Sequence, residues 1–214
     1  MWQLYLVVGL LGALIGSFLN VCIYRLPRRE SIVWPGSHCP ACSKPIAWYD
    51  NVPILGYLML AGRCRACSVS IPLHYPVVEA LNTAGYLAML WFFGPTMVAV
   101  VYAILFSALL VVAGTDLSHK IIPNAVTFPG IVLGLVSAAT ILPLGLLGGL
   151  IGLLVGGGIL WLLAWASPYL FGKEGMGGGD IKLLAMIGAF LGWKLALMTI
   201  MIGSLVGSIV GVSL

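Results

Sequence analysis

Charged positions in this chain fall in a few short windows, and long apolar stretches run between them. Met1 to Tyr24 carries no charge, nor do the 36 residues from Ala80 to Thr115 or the 52 from Ile121 to Gly172. Two further runs, Leu183 to Trp193 and Leu195 to Leu214, span 11 and 20 residues. About 20 consecutive apolar residues in a helix cross a bilayer. Gly94-Pro95 splits the second run, and Pro143 to Gly145 splits the third. The pattern predicts helices over 4–24, 77–93, 96–115, 124–142, 145–170, 181–192 and 195–214. The sixth is short for a span, so either its polar flanks line a wet cavity or it is a half-membrane helix.

Composition turns that pattern into a class. Hydrophobic residues make up 61% of the 214 positions and charged residues 7%, against roughly 25% charged in soluble domains. Ten Lys/Arg and six Asp/Glu cannot build a water-facing shell. A disordered chain, a secreted disulfide scaffold and a nucleic-acid binder with a basic face are excluded as well. The expected fold is an all-α polytopic membrane protein with the lipid bilayer as its surroundings.

The first apolar run lacks a basic segment before it; Arg25, Arg28 and Arg29 follow it instead. That is the pattern of an anchor whose C-terminal end stays in the cytoplasm, not of a cleaved signal peptide. With the N-terminus outside and seven crossings, the inward segments 25–75, 116–123 and 171–182 hold six, one and two Lys/Arg, nine of the ten. Lys194 is the exception. The chain therefore divides into a first transmembrane helix (1–24), a cytoplasmic loop (25–75) and a transmembrane core (76–214).

The loop contains Cys39-Pro40-Ala41-Cys42 and Cys64-Arg65-Ala66-Cys67, separated by 21 residues. Each pair can place two thiolates on one face of a tetrahedral zinc ion, although the gap lies just past the usual window of about 15–20. Disulfides and redox-active dithiols are the alternatives. A reducing cytosol opposes the first, and the absence of a thioredoxin-like βαβ pattern opposes the second. A structural zinc held by Cys39, Cys42, Cys64 and Cys67 is expected. Cys22 lies within the first helix as a packing residue.

Of the three aspartates, Asp50 sits in an Asp-Asn turn before Val52-Pro53. Asp116 ends the third long helix, and Asp180 opens the sixth behind the glycine-rich run Gly175 to Gly179. Two crossings separate them, which returns the chain to the same side and puts both carboxylates at one depth. Ionisable groups at membrane edges often only mark helix ends. Two at matched depth, one with glycines before it, suit hydrolysis by carboxylates that share a proton. His38, His74 and His119 have no Ser or Cys that can be placed beside them for nucleophilic catalysis.

These residues are similar to those of the type IV prepilin peptidases, the bifunctional leader peptidase and N-methyltransferase family of bacteria. The resemblance rests on ordered blocks over nearly the whole chain. The first is Gly16-Ser17-Phe18-Leu19-Asn20-Val21-Cys22-Ile23-Tyr24-Arg25-Leu26-Pro27, followed by the two Cys pairs with Asp50-Asn51-Val52-Pro53 between them. Then come Tyr75-Pro76-Val77-Val78-Glu79, Asp116-Leu117 with Ile122-Pro123-Asn124, and Gly172 to Leu183. The last carries the Gly-x-Gly-Asp signature shared with presenilin-like proteases.

The resemblance implies an aspartic protease in which Asp116 and Asp180 are catalytic and act at the cytoplasmic face of the bacterial inner membrane. Its substrate would be a prepilin or pseudopilin, serving type IV pili or type II secretion. The new N-terminal residue would then be methylated from S-adenosylmethionine, an activity the family associates with the cysteine loop. The chain has no strand-Gly-x-Gly-x-x-Gly-helix unit for a methyl donor. Asn51, Arg63 and Glu79 are the polar candidates near the loop, set against an ordinary structural role for each. Family members usually continue through another helix, so a truncated or short natural form is expected. The rival readings are a proton-coupled carrier using both aspartates, a non-enzymatic zinc-bearing assembly protein, and an archaeal-type preflagellin peptidase without methyl transfer.

Overall fold

The computed structural model describes residues 2–171 and 177–213. Among them are seven helices and no β-strand: α1 (Trp2–Arg25), α2 (Leu55–Met59), α3 (His74–Phe93), α4 (Met97–His119), α5 (Asn124–Thr140), α6 (Gly145–Phe171) and α7 (Gly178–Ser213). Four of these, α1, α4, α6 and α7, are long and apolar enough to cross a membrane, and α5 is a shorter apolar helix. The chain is an all-α, multi-pass membrane protein. Its helices fall into two compact units, Met1–Ile121 and Ile122–Leu214.

In the first unit α1 packs along α3, and both meet α4. Small residues set the spacing. A Cβ added at Gly16 would lie 2.7 Å from the Glu79 Cα, and one at Gly12 would lie 2.9 Å from the Thr83 Cα. The two backbones therefore nearly touch, which is how helices associate where lipid removes the hydrophobic drive. Asn82, fully buried, ties the three helices together. Its Nδ2 donates to the Gly12 carbonyl at 2.8 Å, and its Oδ1 accepts from Ser107 Oγ at 2.9 Å. Leu6, Leu10 and Leu14 occupy the opposite, exposed side of α1, as a lipid-facing stripe requires. The predicted break at Gly94-Pro95 is the α3–α4 turn, closed by Thr96, whose hydroxyl accepts from the Ala99 amide.

In the second unit α6 and α7 run against each other, and α5 packs on both. Gly152 and Gly188 face each other so closely that a Cβ on either would strike the other's carbonyl. Met186 and Phe190 fill the space against Gly130 and Gly134 of α5.

The sixth and seventh predicted helices are the two arms of α7, and the predicted break between them falls where Gly192 takes φ 77° and ψ 174°. That conformation suits glycine because any Cβ would be strained there. The departure from the predicted elements is α2, a five-residue helix in the loop that no periodicity announces. Residues 172–176, the first part of the predicted glycine-rich signature, lie outside the described residues, as does Leu214.

Candidate functional site

The two Cys-x-x-Cys segments fold alike. The Cys39 amide donates to the Lys44 carbonyl and the Ser43 amide to the Cys39 carbonyl; Cys64 repeats this with Val69, and Ser68 with Cys64. Ser43 and Ser68 both sit in the left-handed region, with φ of 56° and 58°. Bridges join His38 to Pro45 and Arg63 to Ser70. Every correspondence is offset by the same 25 residues. The segments also align residue by residue as Cys-x-Ala-Cys-Ser-x-x-Ile, so the shared fold follows a short internal repeat.

Together the two knuckles gather Cys39, Cys42, Cys64 and Cys67 so that all four sulfurs lie within 4.8 Å of one another. The Cys39 and Cys67 sulfurs are 3.8 Å apart, and none of the five cysteines is in a disulfide. A tetrahedron with metal–sulfur bonds of about 2.3 Å has edges of about 3.8 Å. The donor set therefore fits a zinc-type ion with little adjustment. Hydrogen bonds from the backbone at Cys67 and Ala66 bring the Cys64 thiol down to about 6. Cys67 rises to about 11, because burial and bonds to the neighbouring thiols outweigh the help of the Val69 amide.

Two carboxylates brace the same loop. Asp50, its side chain 8% exposed, receives Arg65 Nε at 2.7 Å and Nη2 at 2.6 Å. This bidentate bond holds the Asp50 carboxyl below its usual range. Glu79 of α3 accepts the Ile54 amide at 2.7 Å. Ile54 has φ 62°, a conformation a β-branched residue resists, and it begins α2.

Beneath the loop lies a cavity of about 520 Å³, lined by residues of α1, both knuckles, α2 and the start of α3. Asn51 and Glu79 line it, whereas Arg63 is exposed outside it. Asn20, which sequence reasoning does not single out, is part of the lining as well.

The remaining aspartates lie in separate units. Asp116 is exposed in the last turn of α4, and Asp180 is half-buried in the first turn of α7. The Asp180 amide donates to the Gly177 carbonyl at 3.2 Å. Around it, Lys182 Nζ bonds Asn124 Oδ1 at 2.9 Å, and Gly179 lies against Ile122. The start of α7 is thereby latched to the start of α5.

Comparison with known proteins divides the chain earlier, near the start of α4. Residues 10–93 match the bacterial peptidase A24 N-terminal domain, and residues 103–212 match the type IV leader peptidase family. The chain belongs to the type IV leader peptidase family. A relative from Myxococcus xanthus, named a prepilin leader peptidase/N-methyltransferase, is 40% identical over 94% of this chain and 60% of its own length. Relatives of the same name from Pseudomonas aeruginosa and Aeromonas salmonicida are 38% and 35% identical. They cover 95% and 100% of this chain, and 78% and 82% of their own lengths. No solved structure is matched. The leader peptidase match begins at residue 103, so it takes in both Asp116 and Asp180 and excludes the four cysteines.

Proposed function

We propose that this chain removes the leader peptide of prepilins or pseudopilins and then N-methylates the new N-terminal residue. In this reading Asp116 and Asp180 are the proteolytic pair. The observation that carries it is what the other acidic residues among the described ones are doing. Asp50 is held by Arg65, Glu79 binds the Ile54 amide, and Glu30 is exposed near the end of α1. Asp116 and Asp180 stand at helix ends inside the leader-peptidase match.

Two carboxylates that share a site cannot both ionise readily, so one keeps its proton. The ionised member takes a proton from water, whose oxygen attacks the scissile carbonyl while the protonated member polarises it. Collapse of the resulting diol breaks the C–N bond, and the leaving amine takes up a proton. That amine is the group then methylated, and S-adenosylmethionine supplies the electrophilic methyl. Cys39, Cys42, Cys64 and Cys67 hold one zinc ion that organises the loop. The excess of Lys/Arg in 25–75, 116–123 and 171–182 supports an N-terminus outside the inner membrane, with the loop and both aspartates on the cytoplasmic side.

The test is cleavage of a purified prepilin by the chain in lipid nanodiscs, followed by mass spectrometry. Asp116→Asn and Asp180→Asn should each slow leader loss by about 10²–10⁴-fold or more without changing zinc content. Cleavage by either variant at the parent rate refutes the pair.

A further inference from the structure

Among the described residues, α2 carries an apolar face that nothing in the chain covers. Leu55, Leu58 and Met59 are 57%, 65% and 78% exposed, and their spacing of three and four puts them on one side of the helix. The other side is occupied: Gly56, buried, and Tyr57 line the cavity beneath the loop. Gly56 also abuts the Asp50 carbonyl, and Trp48, two residues before Asp50, is 83% exposed. A loop surrounded by water gains nothing by presenting such side chains.

The loop's attachments fix the level of α2. Glu79 Oε2 accepts the Ile54 amide at 2.7 Å, directly ahead of α2, and the Glu79 backbone is the one that Gly16 nearly touches. Gly16 is nine residues short of the end of α1, roughly 13 Å along a helix axis. The cavity repeats the point, since Leu14 and Phe18 of α1 line it together with Gly56 and Tyr57. Helix α2 thus lies beside the last turns of α1 and not beyond them. Leu14 and Phe18 are also partly exposed, and on a spanning helix that exposure is to lipid. Charge points to the same surroundings. Of the six Lys/Arg in 25–75, Arg25 is buried and Arg65 is held by Asp50, which leaves Arg28, Arg29, Lys44 and Arg63 exposed against Glu30. The Arg63 amide bonds the Leu60 carbonyl at 3.0 Å, so that cation follows α2 by one turn.

We propose that α2 is an interfacial helix, seated in the headgroup layer of the leaflet that meets the end of α1, and that its partner is anionic phospholipid. Leu55, Leu58 and Met59 reach the acyl boundary, as the apolar face of a helix lying in the interface does. Trp48 occupies the polar–apolar border that suits an indole, and Lys44 and Arg63 answer phosphate headgroups. The loop is then fastened to the membrane through α1, α2 and α3, with its four-cysteine knuckles between these points. The left-handed turn at Ile54 brings the chain into α2 at the depth that Glu79 sets.

The test places the full chain in nanodiscs of equimolar phosphatidylcholine and phosphatidylglycerol, with the photo-crosslinker p-benzoylphenylalanine in place of Leu58, Met59 or Tyr57 in turn. After irradiation, mass spectrometry should find phospholipid adducts at 58 and 59 several-fold above those at 57, which faces the cavity. Phosphatidylglycerol adducts should exceed phosphatidylcholine adducts by about fivefold, the ratio that one basic residue near an anionic surface gives. The double variant Lys44→Gln/Arg63→Gln should bring that ratio toward one. Adducts to a second copy of the chain, equal labelling at 57 and 58, or no lipid adduct at 58 and 59 overturns the proposal. An equal yield of the two lipids in the parent refutes an anionic partner. Zinc content and monodisperse elution report folding. If a substituted chain fails these, hydroxyl-radical footprinting of the parent in the same nanodiscs decides. Met59 should oxidise several-fold more slowly than in a free peptide of the same residues, and oxidation at the peptide rate overturns the proposal. None of these outcomes depends on whether the chain cuts prepilin.

Discussion

Asp50 is the acidic residue whose role the structure defines most fully. Arg65 reaches it through two nitrogens, and the bond favours the charged carboxylate. A carboxyl depressed on folding binds fewer protons in the native state than in the unfolded state. Its stabilisation is therefore complete above the unfolded value of about 3.9 and disappears as pH falls through the lower native value. Thermal unfolding of Asp50→Asn beside the parent should show a deficit at pH 7 that closes below about pH 4. A deficit independent of pH would mean that Asp50 acts through shape alone. In the sequence, Asp50 reads as a turn residue, which is true of its backbone and silent about Arg65, 15 positions away. Asn20 is less legible still. An asparagine in an apolar helix suggests packing, and its place in the cavity lining is visible only in the structure.

At the scale of elements, the long helices are legible because charges are so few that their positions mark the helix ends. The turns at Gly94-Pro95 and Pro143 to Gly145 fall where those residues predict. The α2 helix escapes because five residues carry no period; it is held by Glu79 and by the close approach of Gly56 to the Asp50 carbonyl. The break inside α7 is legible, since the pattern ends one helix at 192 and starts the next at 195, and the chain bends at Gly192. The loop has few buried apolar side chains of its own, so a metal ion on the four cysteines would supply much of the knuckles' order. Metal binding of about 10–16 kcal/mol in small zinc modules dwarfs what such a loop supplies itself. Removing zinc by chelation, or making Cys39→Ser, should expose residues 37–71 to protease while the far-UV helical signal hardly changes. A large loss of helix would show that the loop supports the membrane helices as well.

At the scale of the whole molecule, the helices form two sets whose internal contacts are separate. The four-cysteine cluster and the cavity both belong to the first set. A chain split after Ile121 should therefore yield an N-terminal piece that keeps one zinc per copy, measured by metal analysis of the purified fragment. Loss of the metal on splitting would make the second set necessary for the first to fold. The four cysteines also precede the leader-peptidase match, which begins at residue 103. Drift in the loop could therefore rebuild the cysteine cluster in one lineage while the residues from 103 onward pass to descendants unaltered, so the two parts of the chain could be inherited on separate terms.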